Sequence, residues 1–276
     1  MNLNSSEFSL DDFAIVILSF DGYSDLWEYF FKFFNMYWPD CPYKLYLVTN
    51  NKDVDFNNVI VIKTGDEISW SNRTRIALSK ISAKYVLLLL EDYFIGKEVS
   101  NHDFNKIVAK ILLNKYRYYR LNRNPPPRGR IDKSINAYEI NENEEYGINL
   151  QPALWNKDFL INLLGNGNYS AWEFEINQLK KTYVLSKKHM EGCYVDNSNV
   201  FIIYNGVLKG KWIPGTLKYY RNQGIVIDPG NRAVLKASEE WNHIVRTYIR
   251  NHIPYWARKV IKKLMTQIGV KFVTKY

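Results

Sequence analysis

The stretch KYVLLLLEDYFIG, residues 84–96, decides the fold. Its apolar run from Val86 to Leu90 has the length and composition of a strand that is buried on both faces, and it stops at two adjacent carboxylates, Glu91 and Asp92. In open α/β sheets, ligands bind beyond the carboxyl ends of the strands. The stretch therefore predicts a central strand that carries acidic groups to a binding site.

Other apolar runs of strand length precede this one, and segments with helical spacing separate them. The strands are FAIVILSF (13–20), YKLYLVTN (43–50) and VIVIKTG (59–65), and the helices are DLWEYFFKFFNMYW (25–38) and SNRTRIALSKIS (71–82). Apolar strands that alternate with helices indicate a mostly parallel sheet flanked by helices, which is an α/β fold. Asp21 and Asn50 follow the first two strands, so we expect both near the same edge of the sheet as Glu91.

The second half of the chain has a mixed pattern that we place on the same sheet. YRYYRLN (116–122) predicts a strand, GINLQPALWNKDFLINLLGNG (147–167) a strand or turn that enters a helix ending at glycine, NYSAWEFEINQLKK (168–181) a helix, and VFIIYNGVLKGKWI (200–213) a hairpin with a glycine turn. We find neither repeats nor a flexible linker. The sequence therefore predicts one catalytic domain over residues 1–237 and a separate tail over 238–276.

Composition excludes several classes of protein. Two cysteines and four histidines offer neither a disulfide framework nor a zinc cluster. The first residues carry no basic segment of the kind that begins a signal peptide, and no apolar stretch approaches the roughly 20 residues needed to span a bilayer. The net charge of +9 favours polyanionic partners such as nucleotide diphosphates, nucleic acid or anionic lipid. We expect a cytoplasmic protein.

The tail combines basic residues with large apolar residues at helical spacing, and it contains no acidic residue after Glu240. This pattern is typical of a basic amphipathic helix, interrupted at Pro254, that lies on an anionic membrane surface. The alternative is a C-terminal helix that packs on the domain and turns a solvated basic face outward. The first interpretation places the protein peripherally on the inner face of the cytoplasmic membrane.

The order of the predicted strands and helices along the chain resembles that of a known enzyme family. TRIALSKISAKYVLLLLEDY (74–93), an arginine-bearing helix followed by a buried strand that ends in acids, resembles the nucleotide-sugar half of a GT-A glycosyltransferase. The segment from Ser19 to Asn50 resembles bacterial enzymes of the capsule and O-antigen, or lipopolysaccharide, type. The resemblance implies a GT-A-like fold, a nucleotide-sugar donor with a UDP-sugar favoured, and hexosyl or related transfer to a glycan or lipid-linked oligosaccharide acceptor in surface polysaccharide biosynthesis.

The resemblance also implies which residues bind the donor. They are Asp21, Tyr23, Arg73, Arg75, Glu91, Asp92, Lys209 and Lys211. GT-A enzymes hold a metal with a D-x-D pattern, whereas Tyr93 stands here at the last position, which leaves Asp92 as the metal ligand. Mn²⁺ or Mg²⁺ binding and metal independence are both compatible with this pattern. Without a metal, Lys209 and Lys211 would neutralise the diphosphate, and a solvated hairpin turn is their structural alternative.

The segment WEFE (172–175) resembles the element that supplies the catalytic base of an inverting enzyme. Glu173 also fits a capping box with Ser170, so Glu175 is the preferred base and Glu173 the second candidate. The expected acceptor-binding residues are Trp172, Trp155, Gln151 and Arg128, and for each tryptophan core packing is the alternative.

Two other functions compete with glycosyl transfer. A nucleic-acid-binding protein would fit the basic, aromatic-rich composition, but the basic residues concentrate in the tail and in NPPPRGR (124–130), and no recognition motif accompanies them. We therefore expect no nucleic-acid partner. A sugar nucleotidyltransferase would need a glycine-rich phosphate loop after the first strand, and SFDGYSD (19–25) is not one.

Overall fold

A computed structural model describes residues 9–66, 69–142, 144–184, 190–253 and 257. The strands are β1 (Phe13–Leu18), β2 (Lys44–Thr49), β3 (Val59–Lys63), β4 (Tyr85–Leu90), β5 (Tyr93–Ile95), β6 (Tyr118–Arg120), β7 (Ile131–Asp132), β8 (Ala137–Glu139), β9 (Ala153–Asn156), β10 (Cys193–Asp196), β11 (Ile203–Asn205), β12 (Val207–Leu208) and β13 (Lys211–Trp212). The helices are α1 (Trp27–Tyr37), α2 (Trp70–Ser79), α3 (Asn101–Asn114), α4 (Lys157–Leu164), α5 (Ala171–Val184), α6 (Pro214–Arg221) and α7 (Ala237–His252).

The central sheet has the strand order β3-β2-β1-β4-β9-β6-β10-β8-β7. Strands β3, β2, β1 and β4 are parallel, and these ladders are the longest in the sheet. Antiparallel β9 separates β4 from β6, and β6 pairs in parallel with β10. Every residue of β1 is buried, as a strand covered on both faces requires. The predicted α/β class, with a mostly parallel sheet flanked by helices, is confirmed.

The helices form where the sequence supplies an apolar face and a cap. Helix α1 buries four phenylalanines on the sheet, at positions 30, 31, 33 and 34. Helix α2 begins at Ser69, whose Oγ accepts a hydrogen bond from the backbone N of Asn72 at 3.1 Å, and α4 begins in the same way at Asn156 and ends at Gly165. The caps fix where α2 and α4 begin relative to the strands beside them.

The chain leaves the central sheet directly after Glu91 and Asp92. Strand β5 pairs antiparallel with β11 in a separate two-stranded sheet, and the backbone N of Gly206 donates to the backbone O of Asp92 at 2.7 Å. Strand β5 was not predictable from the sequence, because Tyr93–Ile95 is only three residues long and its partner follows more than a hundred residues later. This exit turns Tyr93 into the interior.

Two compact units divide the chain at residues 206 and 207, and the predicted boundary at residue 237 falls inside the second unit. In that second unit, β12 and β13 form the predicted hairpin, with positive φ at Lys209 and Gly210 in its turn. Helix α7 covers the start of the predicted tail and exposes Trp241, Ile244 and Tyr248. The predicted break at Pro254 lies outside the described residues. Among the helices described, none has the length and apolar character needed to cross a bilayer.

Candidate active site

Asp21 and Asn50 meet beyond the carboxyl ends of β1 and β2, as the sequence predicts. The Asp21 carboxylate accepts hydrogen bonds from the backbone N atoms of Asn50, Asn51 and Lys52 at 2.9–3.1 Å. In return, the backbone N of Asp21 donates to the Asn50 Oδ1 at 3.1 Å. Three amides on one carboxylate give Asp21 a structural function, which is to hold the loop after β2 against the turn after β1. A direct grip on a nucleoside stays a prediction.

Glu91 is a buried acid at the end of β4, with 8% of its surface exposed. Burial, together with the negative charge of Asp92, raises the pKa of Glu91 to about 8, although a hydrogen bond with Ser19 and the charge of Arg73 oppose the shift. The Oγ of Ser19 also accepts a hydrogen bond from the Trp27 indole N at 2.7 Å. The raised pKa favours the protonated form of Glu91, whereas Asp92 beside it is only half-buried.

Arg73 is the arginine of α2 that faces this site. Its guanidinium lies over the ring of Phe20, 5.0 Å from the ring centroid, and its positive charge partly offsets the rise in the pKa of Glu91. The ring of Tyr23 contacts the same Phe20 at 4.9 Å between centroids. The structure thus brings two predicted donor-side residues, Arg73 and Tyr23, to Phe20, which was not predicted as a site residue, and the charge of Arg73 links this group to Glu91.

Arg75 does not face the site, contrary to the prediction. Its guanidinium donates to the carbonyl oxygens of Gly165 and Gly167 at 3.0 and 2.9 Å, and to the side-chain oxygens of Asn72 and Asn168 at 3.2 and 2.9 Å. Residues two positions apart on a helix point to different sides, so Arg73 and Arg75 cannot share one pocket. Arg75 instead ties the loop after α4 to α2.

Tyr93, the residue at the expected metal-ligand position, is a buried anchor. Its hydroxyl donates to the carbonyl oxygen of Leu150 at 3.0 Å. The backbone N of Leu150 in turn donates to Oε1 of Glu175 at 2.9 Å. On β6, the Tyr118 hydroxyl donates to the carbonyl oxygen of Asn149 at 3.1 Å. Two buried phenols therefore fix the segment that holds the Glu175 carboxylate.

Three carboxyl groups contribute to a raised pKa of the Tyr93 hydroxyl. Burial raises the pKa of Tyr93 well above its ordinary value, and the charges of Asp92, Glu175 and Glu91 raise it further. The predicted donor-side acids and the preferred base, which are more than 80 residues apart in sequence, are thus all near enough to Tyr93 for their charges to raise its pKa. This is the strongest sign that the motifs belong to one site.

Glu173 has the capping function that was the alternative for it. Its Oε2 accepts from the backbone N and the Oγ of Ser170 at 2.8 and 2.9 Å, and its own backbone N donates to the Ser170 Oγ at 3.3 Å. These bonds lower the pKa of the exposed Glu173 carboxyl, chiefly through the Ser170 backbone N. Glu175 therefore remains the preferred candidate for the catalytic base.

The predicted acceptor residues do not lie together. Trp155 belongs to the core: it is completely buried and its ring contacts Tyr118 at 4.3 Å, so a sugar cannot reach it in this fold. Trp172 is exposed on α5, Gln151 accepts a hydrogen bond from Asn122 at 2.8 Å, and Arg128 is exposed in the proline-rich loop. Of the four, Trp172 and Arg128 expose their side chains to solvent.

The two lysines expected at the diphosphate belong to the second compact unit. Lys211 forms an ion pair with Glu239 at 2.7 Å, which neutralises its charge locally, and Lys209 is exposed at the hairpin turn. Their contact with a diphosphate stays a prediction.

A divalent cation finds few protein ligands here. The Tyr93 hydroxyl is engaged with Leu150, which leaves the carboxyl groups of Glu91 and Asp92 as the members of this segment that could bind a metal. In the described part of the chain, no three His, Cys, Asp or Glu side chains are grouped to hold a metal ion. We therefore derive no catalytic step through a metal.

Comparison with known proteins finds distant structural likenesses. No family model matches the chain, and no curated protein matches its sequence. Among solved structures, the chain is similar to S. aureus TarS (13% identity, TM-score 0.47, covering 88% of this chain and 44% of that one) and to the galactosyltransferase LgtC in complex with donor and acceptor sugar analogues (12%, 0.39, 89% and 99%). It is also similar to the bifunctional IspDF from Campylobacter jejuni (14%, 0.36, 60% and 47%).

The chain spans less than half of the length of TarS and of IspDF. Likenesses at this level of identity and superposition do not identify the reaction, and the function follows only from the chain's own residues.

Proposed function

We propose that the protein is a glycosyltransferase that moves a sugar from a nucleotide-sugar donor to a glycan acceptor. The observation that carries the proposal is the link from Tyr93, directly after Glu91 and Asp92, through Leu150 to the Glu175 carboxylate, with the charge of Arg73 on α2 felt by Glu91. The site lies where ligands bind in open α/β sheets. It combines hydroxyl-binding acids, a cation and a carboxylate base, which are the groups that sugar transfer requires.

The donor would bind with its diphosphate toward Arg73 and its sugar toward the acids. A guanidinium forms bidentate, charge-assisted hydrogen bonds with phosphate oxygens. Phe20 and Tyr23 offer aromatic surface beside Arg73 for the base or ribose. The Asp92 carboxyl group would accept hydrogen bonds from sugar hydroxyls, and a protonated Glu91 would donate one. A UDP-sugar is the donor that we propose first.

The reaction needs one proton acceptor. The acceptor hydroxyl attacks the anomeric carbon, the bond from that carbon to the donor phosphate oxygen breaks, and the nucleoside diphosphate leaves with the electron pair. The Glu175 carboxylate takes the hydroxyl proton, while Arg73 stabilises the charge that develops on the leaving group. Attack opposite to the leaving group inverts the anomeric configuration.

Helix α7 in the second unit suggests where the protein works and which acceptor it uses. Trp241, Ile244 and Tyr248 are spaced three and four residues apart on α7 and are 51–66% exposed. An exposed apolar stripe on a helix whose continuation in sequence is basic suits the inner surface of the cytoplasmic membrane. We propose a lipid-linked oligosaccharide acceptor there and a place in surface polysaccharide synthesis, with hexosyl transfer as the reaction.

Donor binding is tested with a thermal-shift panel of UDP, GDP, CDP and ADP, each with and without EDTA. We expect one nucleotide to raise the melting temperature, and the EDTA arm to report metal dependence. In the variant Arg73→Gln this stabilisation should be lost, whereas Arg75→Gln, whose side chain points elsewhere, should keep it. If no nucleotide stabilises the wild-type protein under either condition, the proposal is wrong.

The base assignment is tested with the matched pair Glu175→Gln and Glu173→Gln. Loss of a general base lowers turnover by about 100-fold or more, while donor binding survives. We expect this result for Glu175→Gln, and near-normal turnover with lower thermal stability for Glu173→Gln. The reverse pattern would assign the base to Glu173.

A further inference from the structure

Tyr118 and Tyr119 are neighbours on β6, and both side chains are completely buried. Successive side chains of a strand point to opposite faces of the sheet. The Tyr119 hydroxyl donates to Oδ1 of Asp196 at 2.9 Å, whereas the Tyr118 hydroxyl donates to the carbonyl oxygen of Asn149 at 3.1 Å. Of the two phenols, Tyr118 is therefore the one that contacts the segment holding Glu175.

A single peptide group joins Tyr118 to Glu175. The carbonyl of Asn149 and the N–H of Leu150 are the two ends of the same planar amide. The Tyr118 hydroxyl is bonded to the carbonyl end, and at the other end the N–H donates to Oε1 of Glu175 at 2.9 Å. Hydrogen bonds in such a chain polarise one another, so donation to the carbonyl makes the N–H a stronger donor. Tyr118 can thus act on the carboxylate without touching it.

The side chain of Asn149 holds this peptide group in place. Its Oδ1 accepts from the backbone N of Gln151 at 3.0 Å, and its Nδ2 donates to the carbonyl oxygen of Tyr146 at 2.8 Å. The Tyr118 hydroxyl also lies 3.3 Å from that Oδ1, which is farther than its distance to the carbonyl oxygen. Asn149 and Leu150 are only 3% and 4% exposed, and hydrogen bonds are electrostatically stronger in such buried surroundings than in water.

The charge state of Tyr118 suits this arrangement. Burial raises the pKa of its hydroxyl above the ordinary value, the charge of Arg120 opposes the rise, and the charge of Glu175 adds to it. The phenol therefore stays protonated at neutral pH and keeps the proton that it donates to Asn149.

We propose that Tyr118 is a positioning residue for the catalytic base and that it holds Oε1 of Glu175 through the Asn149–Leu150 peptide group. The inference rests on the proposed function, because that function makes Glu175 the base. A general base transfers a proton efficiently only when it lies within hydrogen-bond reach of the reacting hydroxyl. A shift of the Leu150 N–H would let the carboxylate turn away, and a misplacement of about 1 Å can cost about 100-fold in rate.

The relay is tested by the amide proton signal of Leu150. Labelling with carbonyl-13C asparagine and 15N leucine selects the three Asn–Leu peptide groups of the chain, at residues 2–3, 149–150 and 162–163. The variant Leu150→Ile identifies the signal, because it removes that one alone. A weaker hydrogen bond moves an amide proton upfield, so Tyr118→Phe and Glu175→Gln should each move the Leu150 signal upfield.

The matched control is Tyr119→Phe, which deletes an equally buried hydroxyl from the next position of the same strand. It should leave the Leu150 signal in place, although it also removes a hydrogen bond, the one to Asp196. A Leu150 signal that stays in place in Tyr118→Phe, or moves as far in Tyr119→Phe, would overturn the proposal.

The effect on turnover is measured as release of UDP from UDP-glucose, UDP-galactose and their N-acetylated counterparts, with methyl glycosides as acceptors. We expect Tyr118→Phe to lower kcat about tenfold at nearly unchanged donor KM, and to cause no further loss when added to Glu175→Gln. Tyr119→Phe should keep the wild-type kcat. Equal losses in the two tyrosine variants would overturn the positioning function. Absence of UDP release by the wild type would refute the proposed function and the part of Tyr118 in it, whereas the Leu150 signal decides independently whether the relay exists.

Discussion

Glu91 makes the stability of the fold depend on pH in an unusual direction. Its pKa is about 8 in the folded chain, compared with 4.5 for an ordinary glutamate. Between these values the folded protein holds a proton that the unfolded chain releases. Stability from this group is therefore fully present below about pH 4.5 and is lost as the pH rises through about 8. Most acids that pair with cations show the opposite trend.

The variant Glu91→Gln isolates this effect, because glutamine has nearly the shape of the protonated acid and does not titrate. Each pH unit is worth about 1.4 kcal/mol per proton, so from pH 5.5 to 7.5 the variant should gain about 2–3 kcal/mol of unfolding free energy relative to the wild type. Urea denaturation at both pH values measures it. Glu28→Gln, at an exposed position on α1, is the control and should show no such gain. Parallel pH curves for wild type and Glu91→Gln would refute the argument.

Two further predictions concern the loops beside the site. Arg75→Met should lower the unfolding free energy in urea by about 1–2 kcal/mol, because four hydrogen bonds to residues 72 and 165–168 are lost. Gly129→Ala should cost about 2 kcal/mol, because its Cβ would lie 1.7 Å from the carbonyl oxygen of Glu139. Gly167→Ala, which would meet only a tyrosine side chain at 3.3 Å, should cost less. Wild-type stability of Arg75→Met, or equal costs for the two glycines, would contradict these expectations.

The parallel half of the sheet was predictable because each of its strands is a continuous apolar run. The runs at 13–20, 43–50, 59–65 and 84–90 all became strands, with ends displaced by at most two residues. Strands β5, β7, β8 and β10 were not predicted. They contain two to four residues each, too few for a periodic pattern, and their pairing depends on partners distant in sequence.

The side of an element that each site residue faces was harder to predict than its position along the chain. The sequence placed Arg73 and Arg75 on one helix and assigned both to the donor, although the helical period separates them. The helical period shows only that the two arginines point apart; the contact with Phe20 identifies Arg73 as the one at the site. Trp155 was misassigned for a similar reason: its strand, β9, lies between β4 and β6, where both faces are covered. Ser19, Tyr118 and Leu150 carry no signal that a single sequence reveals.

The position of Tyr93 bears on how a donor can enter the site. Asp92 and Glu175 lie on the Tyr93 side, and a diphosphate that approached them directly would meet two carboxylates without a compensating cation among these residues. Sugar hydroxyls, in contrast, gain hydrogen bonds from the same carboxylates. We therefore expect the diphosphate to enter beside Arg73 and Phe20 and the sugar to lie toward Tyr93. Glu91 lies between the region beside Arg73 and the region beside Tyr93. When Glu91 is protonated, it adds no negative charge near the diphosphate, so its raised pKa favours binding of a polyanionic donor.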